Sequence, residues 1–207
     1  KVYYVGVNDR QKALFENMWP LPYGVSYNSY LIVDEKTVLI DTVDVCYSDI
    51  FLKKVADALD GRSLDYLVVN HMEPDHAGSI RLLRQQYPDV QIVGNNKTFG
   101  MLEGYHGIKE GLFEVKEGDT LNTGRHELVF YMAPMVHWPD SNDAVAQKTA
   151  EQAEQVSENE CGALLGRDDS LLLQHCRKIW KSSTKGITEA FGLGYPDDLL
   201  YPWTCLA

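Results

Sequence analysis

Apolar side chains recur along the chain in short runs that predict strands joined by hairpins and helices. Residues 26–33 and 37–41 predict a hairpin whose turn is Asp34-Glu35-Lys36. Further strands are predicted at 2–7, 64–70, 90–93, 113–115, 120–121 and 128–133. The run at 64–70 contains Leu67-Val68-Val69, and such a continuous apolar stretch is typical of a strand buried on both faces.

Helical spacing appears between these strands. Residues 48–59 carry four apolar side chains at helical spacing and begin at Ser48, which predicts an N-cap. The four are Ile50, Phe51, Val55 and Leu59. Shorter helices are predicted over 79–87, where Pro88 ends the pattern, and over 97–104. Strands that alternate with helices and hairpins favour a layered α/β sandwich.

The last third of the chain carries a different pattern. Residues 142–160, rich in Ala, Gln and Glu, predict a solvated helix. Residues 168–180 predict an amphipathic helix with an acidic start and a basic end, and residues 191–207 predict a packed apolar tail. With 207 residues, 44% of them hydrophobic, the chain is expected to form a single domain over 1–207.

The charge balance narrows the range of partners. Nineteen Lys and Arg against 30 Asp and Glu give a net charge of −11 without a basic cluster, which argues against nucleic acid and anionic membranes. No apolar run is long enough to span a bilayer, and the start, Lys1-Val2-Tyr3-Tyr4, does not resemble a signal peptide. The four cysteines form no CxxC pair, which predicts isolated thiols in a cytoplasmic protein.

A loop dense in metal-binding side chains directly follows the strand that is predicted to be buried. His71-Met72-Glu73-Pro74-Asp75-His76 brings four potential ligands into six residues. In an extended chain, side chains two apart face the same way, which would group His71, Glu73 and Asp75 and turn His76 elsewhere. The loop can therefore supply two adjacent metal ions.

The acid content of the loop bears on which metal it would hold. Two divalent ions bring four positive charges into a partly dry site, and anionic ligands must offset much of that charge. Glu73 and Asp75 are hard oxygen donors, which suit iron or manganese. Pro74 biases Glu73 towards an extended conformation, which stiffens its presentation. These residues favour iron, although carboxylates also bind zinc.

The pattern His-x-Glu-x-Asp-His after a strand resembles that of the metallo-β-lactamase superfamily. Its context at 70–79 resembles the flavodiiron proteins, which are oxygen and nitric oxide reductases. Other segments are also similar to that family, namely 5–10, 14–17, 19–22, 24–31, 36–42 and 132–141. The resemblance covers residues 1–141 and becomes thin after Ser141.

The resemblance implies an αββα sandwich of the metallo-β-lactamase type that holds two iron ions. It divides the ligands between the irons, with His71, Glu73 and His137 for one and Asp75 and His76 for the other. It also gives Asp41, at the end of a predicted strand, a supporting role behind a ligand histidine.

Two parts of the family pattern are altered in this chain. In the family a hairpin separates the Trp-Pro-Asp-Ser segment from an Asp that bridges the irons, whereas here Ser141 leads directly into Asn142-Asp143. We interpret Asp143 as the bridging carboxylate; the alternative is a chance Asn-Asp loop pair. The family's late histidine loop has no counterpart in the sequence, so His175 or water would complete the second iron, or the site would be incomplete.

Electrons would have to reach the irons from elsewhere. No residue of the chain can be assigned to flavin, and the resemblance implies FMN on a partner chain or on a missing flavodoxin segment, with a rubredoxin-like donor. In the family this flavin reaches the irons across a head-to-tail dimer, so a homodimer or homotetramer is expected. The expected activity is reduction of O2 to water, of NO to nitrous oxide, or both.

Three other interpretations stay open. Without a flavodoxin partner, the same domain would resemble a diiron sensor that binds O2 without turnover. With two zinc ions it would be a hydrolase of thioesters, lactams or phosphodiesters, which Glu73 disfavours. The altered pattern after Ser141 is also compatible with a degenerate core that is retained for structure.

Overall fold

The computed structural model describes residues 1–15, 17–135 and 138–148, with the backbone alone at 145–148. These residues fall within one compact unit, residues 1–150. One domain over 1–207 therefore stays a prediction. The helix predicted at 168–180 and the tail predicted at 191–207 lie outside the described residues.

The described residues form strands and helices in the alternation that the sequence predicts. The strands are β1 (Val2–Tyr4), β2 (Val7–Asp9), β3 (Leu14–Phe15), β4 (Trp19–Pro20), β5 (Val25–Tyr27), β6 (Tyr30–Val33), β7 (Thr37–Ile40), β8 (Tyr66–Val68), β9 (Gln91–Gly94), β10 (Leu112–Glu114), β11 (Thr120–Asn122), β12 (His126–Met132) and β13 (Asn142–Lys148). The helices are α1 (Ser48–Leu59), α2 (Pro74–Ala77), α3 (Ile80–Gln86) and α4 (Asn96–His106), with a 3-10 turn at Val45–Tyr47. None of these helices is long and apolar enough to cross a membrane.

A six-stranded sheet with the order β1-β6-β7-β8-β9-β10 forms the centre of this unit. The strands from β7 to β10 run parallel, whereas β1, β6 and β7 pair antiparallel. A second sheet has the order β11-β12-β13, and the short pairs β2-β5 and β3-β4 lie apart from both. The predicted hairpin is confirmed, because β6 and β7 pair with Val33 opposite Thr37.

Both faces of the central sheet are covered. Leu67 and Val69 pack into a core that also contains Phe51 of α1 and Leu83 of α3. Val68 points the other way, into a core that the second sheet completes with residues such as Leu128 and Phe130. All three residues of the run 67–69 are fully buried, which confirms the strand expected from their continuous apolar pattern. The described residues thus supply a helix layer and two sheet layers of the predicted αββα sandwich.

Helix α1 has the predicted bounds, but its N-cap is not the predicted residue. Ser48 is its first helical residue and Tyr47 is the N-cap, because the Ser48 hydroxyl donates to Val45 O and pairs with the Ser79 hydroxyl at 2.8 Å. The helix ends at Leu59, and Asp60, with a left-handed φ of 50°, is its C-cap. Ile50, predicted to be buried with Phe51, Val55 and Leu59, is instead 52% exposed.

The helix predicted at 142–160 is wrong for residues 142–148. These residues form β13, which pairs antiparallel with β12 from Met132 opposite Asn142 to His126 opposite Lys148. One further hydrogen bond continues the pairing at this end, with Ala133 N donating to Ser141 O at 3.0 Å. Strand β12 offers residues 142–148 a free backbone edge. The hydrogen bonds that they form with this edge outweigh the helical propensity of their Ala and Gln residues. Residues 149–160 lie outside the described part of the chain.

A buried carboxylate ties the two sheets together. Asp34, in the β6–β7 turn, accepts hydrogen bonds from the backbone N–H groups of Arg125 and His126 at 2.7 and 3.1 Å. His126 Nδ1 also lies 2.7 Å from the same oxygen. Burial of Asp34 disfavours its charged form, but these bonds outweigh burial and lower the pKa of Asp34 below its usual value. The ionised carboxylate therefore stabilises the contact between the sheets.

We predict that Asp34→Asn lowers the free energy of unfolding of the metal-free chain by about 1–3 kcal/mol at pH 7. Because the folded-state pKa of Asp34 is lowered, its contribution is present above the unfolded pKa of about 3.9 and is lost as the pH falls through the folded value. Urea unfolding from pH 8 down to pH 3 measures the deficit, which should shrink at the acidic end. Asp57→Asn, at an exposed ion pair with Lys53, is the matched control and should change little. A deficit that stays constant down to pH 3 would contradict the assignment.

Candidate metal centre

The ligand-rich loop begins extended and then turns into a short helix. Glu73 has φ −61° and ψ 143°, as expected for a residue before proline, and Pro74 occupies the first position of α2. Asp75 and His76 therefore lie on a helical turn. The sequence predicts that His71, Glu73 and Asp75 face one side of an extended chain. This prediction is wrong for Asp75, because Pro74 starts a helix there instead of continuing the extended chain.

This turn sorts the four loop donors into two pairs. His71 Nε2 lies 3.0 Å from Glu73 Oε2, and His76 Nε2 lies 3.6 Å from Asp75 Oδ2. The two imidazole rings are 5.7 Å apart between centroids. All four residues are buried, with exposures between 2% and 8%. Each pair combines one imidazole with one carboxylate.

Helix α2 is held against the loop that follows β7. Thr42 donates its backbone N–H and its hydroxyl to His76 O, both at 2.7 Å. The Ser79 hydroxyl donates to Val43 O at 2.9 Å. Gly78 lets the two backbones approach, since a Cβ atom there would lie 2.6 Å from Pro74 O and 2.7 Å from Val45 N. The position of His76 is therefore fixed through its backbone.

Asp41 lies behind His76. It follows β7 with a left-handed φ of 54°, a conformation that Asp tolerates better than most residues. Its Oδ1 accepts from Asn70 N at 2.7 Å, and its Oδ2 lies 3.5 Å from His76 Nδ1. Asp41 thereby joins the end of β8 to the second imidazole.

The start of β13 brings Asp143 to the same region. Asn142 N donates to Asn70 O at 3.0 Å, and Ala144 N donates to Asn70 Oδ1 at 3.2 Å. These two bonds flank Asp143 and hold it beside the end of β8. Burial, followed by the negative charge of Asp41, raises the pKa of Asp143 to about 6. The structure thus places Asp143 close enough to Asp41 for their charges to repel.

Acid is in excess within this cluster. Burial raises the pKa of Asp75, and the charge of Glu73 adds to the increase. Burial alone would lower the pKa of His71, but the nearby carboxylates of Asp140 and Glu73 outweigh burial and raise the value to about 9. Asp75 Oδ1 is buried and has no hydrogen-bond partner among the described residues. Each of these shifts favours added positive charge, which protons or a bound cation would supply.

The donors fit iron chemically, but they are not closed around an ion. Carboxylate oxygens together with imidazoles are a ligand set that iron accepts. Within residues 1–15, 17–135 and 138–148, however, no three His, Cys, Asp or Glu side chains are arranged to hold a metal ion as they stand. The predicted ligand His137 and the weaker candidate His175 lie outside the described residues.

Asp140 is a site residue that the sequence analysis missed. It is completely buried, and its Oδ2 accepts from the backbone N–H of Met72, inside the ligand loop, at 2.7 Å. The same oxygen lies 3.7 Å from His71 Nδ1. The signal was available, because Asp140 belongs to the Trp-Pro-Asp-Ser segment that follows β12.

Comparisons with known proteins extend this picture. Residues 25–149 match a family model described as ODP family beta lactamase. The chain is 34% identical, over 223 aligned positions, to the anaerobic nitric oxide reductase flavorubredoxin homolog of Escherichia coli O157:H7, covering 96% of this chain and 52% of the relative. The anaerobic nitric oxide reductase flavorubredoxin of Shigella dysenteriae is also 34% identical over 96% of this chain and 45% of the relative. The chain spans about half the length of these relatives, and the alignments extend well beyond Ser141.

Solved structures show the same fold. A variant flavo-diiron protein from Thermotoga maritima matches with a TM-score of 0.66 and 33% identity over 70% of this chain and 37% of that chain. The rubredoxin oxygen:oxidoreductase of Desulfovibrio gigas matches with a TM-score of 0.66 and 34% identity over 73% of this chain and 37% of that chain. A metallo-beta-lactamase from Cronobacter sakazakii, 17% identical with a TM-score of 0.55, shares the fold alone. The predicted metallo-β-lactamase-like fold is confirmed.

Two glycine substitutions should have opposite effects on stability. Gly78→Ala should lower the free energy of unfolding by about 1–3 kcal/mol, because the added methyl group meets two backbone atoms. Gly104→Ala is the matched control in helix α4, where an added Cβ meets nothing within 4 Å. It should stabilise the chain by about 0.5–1 kcal/mol through helix propensity. Urea unfolding of both variants measures the two signs, and a Gly78→Ala chain as stable as the wild type would contradict the close packing of α2.

Proposed function

The chain belongs to the ODP family of beta-lactamase-like domains, the family of the flavodiiron proteins, and from this premise we propose that it is the core of an oxidoreductase with two iron ions. The observation that carries the proposal is the pairing of buried donors in the ligand loop. His71 with Glu73 and Asp75 with His76 form two sets, each with an imidazole and a carboxylate. Each set can contribute two donors to its own ion, which supports a two-metal site.

The excess of buried acid supports a cationic occupant. The raised pKa values of Asp75 and Asp143 mean that their charged forms are disfavoured by burial and by neighbouring acids. Two divalent cations would remove that penalty and keep both carboxylates ionised. Neutral solvent would not, so the electrostatics favour metal over water as the natural occupant.

The proposed ligand roles follow the two donor pairs of the loop. We assign His71, Glu73 and His137 to one iron and Asp75 and His76 to the other. Asp143 would bridge the two irons, since β13 brings it to the Asp41 side of the cluster. The second iron would be completed by His175 or by water.

The carboxylates favour iron over zinc, because hard oxygen donors stabilise the ferric state that a redox cycle must reach. When bound, a pair of ferrous ions would supply electrons for reducing O2 to water or NO to nitrous oxide. The chain's own part is to hold the donors and to exclude water. The burial of all four loop donors serves that second task.

Electron supply is proposed from the relatives. Two are named as nitric oxide reductase flavorubredoxins and one structural neighbour as a rubredoxin oxygen:oxidoreductase. We propose that a rubredoxin-type donor and FMN, carried by a flavodoxin module or by a partner chain, reduce the irons. A homodimer or homotetramer would bring that flavin to the site.

The test is to purify the chain anaerobically after expression in iron-rich medium, measure its iron, and then follow O2 or NO consumption with a reduced flavoprotein donor. We expect about two irons per chain, as a two-metal site requires, and sustained consumption of one gas or both. Asp143→Ala should lose iron and most of the turnover, because the bridging ligand is gone. Asp57→Asn, which removes an exposed acid on α1, should leave both unchanged.

The other interpretations give different results in the same experiment. Reversible O2 binding without consumption, when the donor is in excess, would indicate a sensor and contradict the reductase. Two zinc ions per chain after iron-rich expression, together with hydrolysis of a thioester, lactam or phosphodiester, would contradict both. A folded chain that holds no metal would indicate a retained structural core.

A further inference from the structure

Asp140 is a fully buried acid whose side chain reaches out of its own turn to the ligand loop. Its side chain is fully buried, and one oxygen, Oδ2, accepts from Met72 N at 2.7 Å. The other oxygen, Oδ1, has no hydrogen-bond partner among the described residues. Burying an ionised carboxylate with incomplete hydrogen bonding is costly, and a neutral amide could accept from Met72 equally well. An acid at this buried position therefore points to a second neighbour that donates to it.

That neighbour is His71. The two nitrogens of its ring face different carboxylates, with Nδ1 3.7 Å from Asp140 Oδ2 and Nε2 3.0 Å from Glu73 Oε2. The side of the ring that faces Asp140 leads into the protein.

We propose that Asp140 is the positioning residue for His71. It accepts the Nδ1 proton, which leaves the lone pair of Nε2 for the metal and fixes the plane of the ring. Buried carboxylates behind ligand histidines act in this way in many metal sites, where they set both the tautomer and the orientation of the ring. This inference rests on the proposed metal-binding function and names a residue that would act on the metal only through His71.

The surroundings of Asp140 are built to hold it in place. Its backbone carbonyl accepts from Asn95 Nδ2 at 2.8 Å and from Asn142 Nδ2 at 3.4 Å. Asn95 is the N-cap of α4, and Asn142 is the first residue of β13. The turn is therefore anchored to both sheet layers, and it brings its carboxylate to the ligand loop at a defined point.

The same turn also limits the movement of the imidazole. The Trp138 ring meets the His71 ring edge-on, with centroids 5.2 Å apart and an interplanar angle of 90°. A carboxylate at one edge of the imidazole and an indole against it leave little freedom for rotation. One four-residue turn thus controls the first ligand of the loop.

The test uses the full chain, with zinc as a diamagnetic probe of the metal site. In the wild type, a competition titration should show two zinc equivalents, as a two-metal site requires. Asp140→Asn should weaken one equivalent about 10–100-fold and leave the other nearly unchanged. The introduced amide oxygen can still accept from Met72 N, but it carries no negative charge with which to hold the Nδ1 proton of His71. Asp65→Asn is the matched control, because Asp65 also accepts a backbone N–H, from Thr37 at 2.8 Å, but lies behind no ligand.

A second readout needs no variant. Long-range 1H–15N spectra of the zinc-loaded wild type should show His71 protonated at Nδ1 and bound through Nε2. If His71 instead binds through Nδ1, or if Asp140→Asn leaves both zinc affinities unchanged, the proposal is overturned. A wild-type chain that binds no metal would instead overturn the proposed function. Thermal unfolding of the metal-free proteins should show Asp140→Asn at least as stable as the wild type, which a purely structural role would not allow.

Discussion

The burial of several acids beside two imidazoles is the constraint on which the rest of this structure depends. Glu73, Asp75 and Asp140 are buried near the end of β8, and Asp143 is half-buried beside them. The raised pKa values of Asp75 and Asp143 reflect the resulting penalty. A protein retains such a cluster only if something offsets its charge. The proposed pair of metal cations would do this.

The scaffold places these donors by simple means. Strand β8 is buried on both faces, so its end is a fixed point from which the ligand loop starts. Hydrogen bonds from Thr42 to the carbonyl of His76 and from Met72 to Asp140 then hold the two halves of the loop against different neighbours. Because the halves are anchored separately, the two donor pairs stay distinct.

Local patterns predict much of this arrangement. The apolar run at 67–69 indicates the buried strand, the helical spacing gives the bounds of α1, and Pro74 explains the extended Glu73. The composition of the loop alone indicates four candidate donors. These features depend on neighbouring residues or on a single layer of packing, so the sequence is sufficient to reveal them.

What the sequence misses depends on distant partners. The composition of residues 142–148 predicts a helix, but in the structure they pair with the edge of β12. The sequence predicts Ser48 as an N-cap, but in the structure its hydroxyl forms a hydrogen bond with that of Ser79, 31 residues away. Asp140 acts on a loop 68 residues earlier, and no spacing rule links the two. A pattern that assumes an extended chain also fails to predict the helical geometry at Asp75.

The most direct test of the account is a crystal structure of the iron-loaded protein with data collected at the iron absorption edge. We predict two anomalous peaks about 3.5–4 Å apart, one beside His71 and Glu73 and the other beside Asp75 and His76. A single peak would contradict the two-iron account. So would the absence of any peak in a structure where His71 and Glu73 are still hydrogen-bonded to each other.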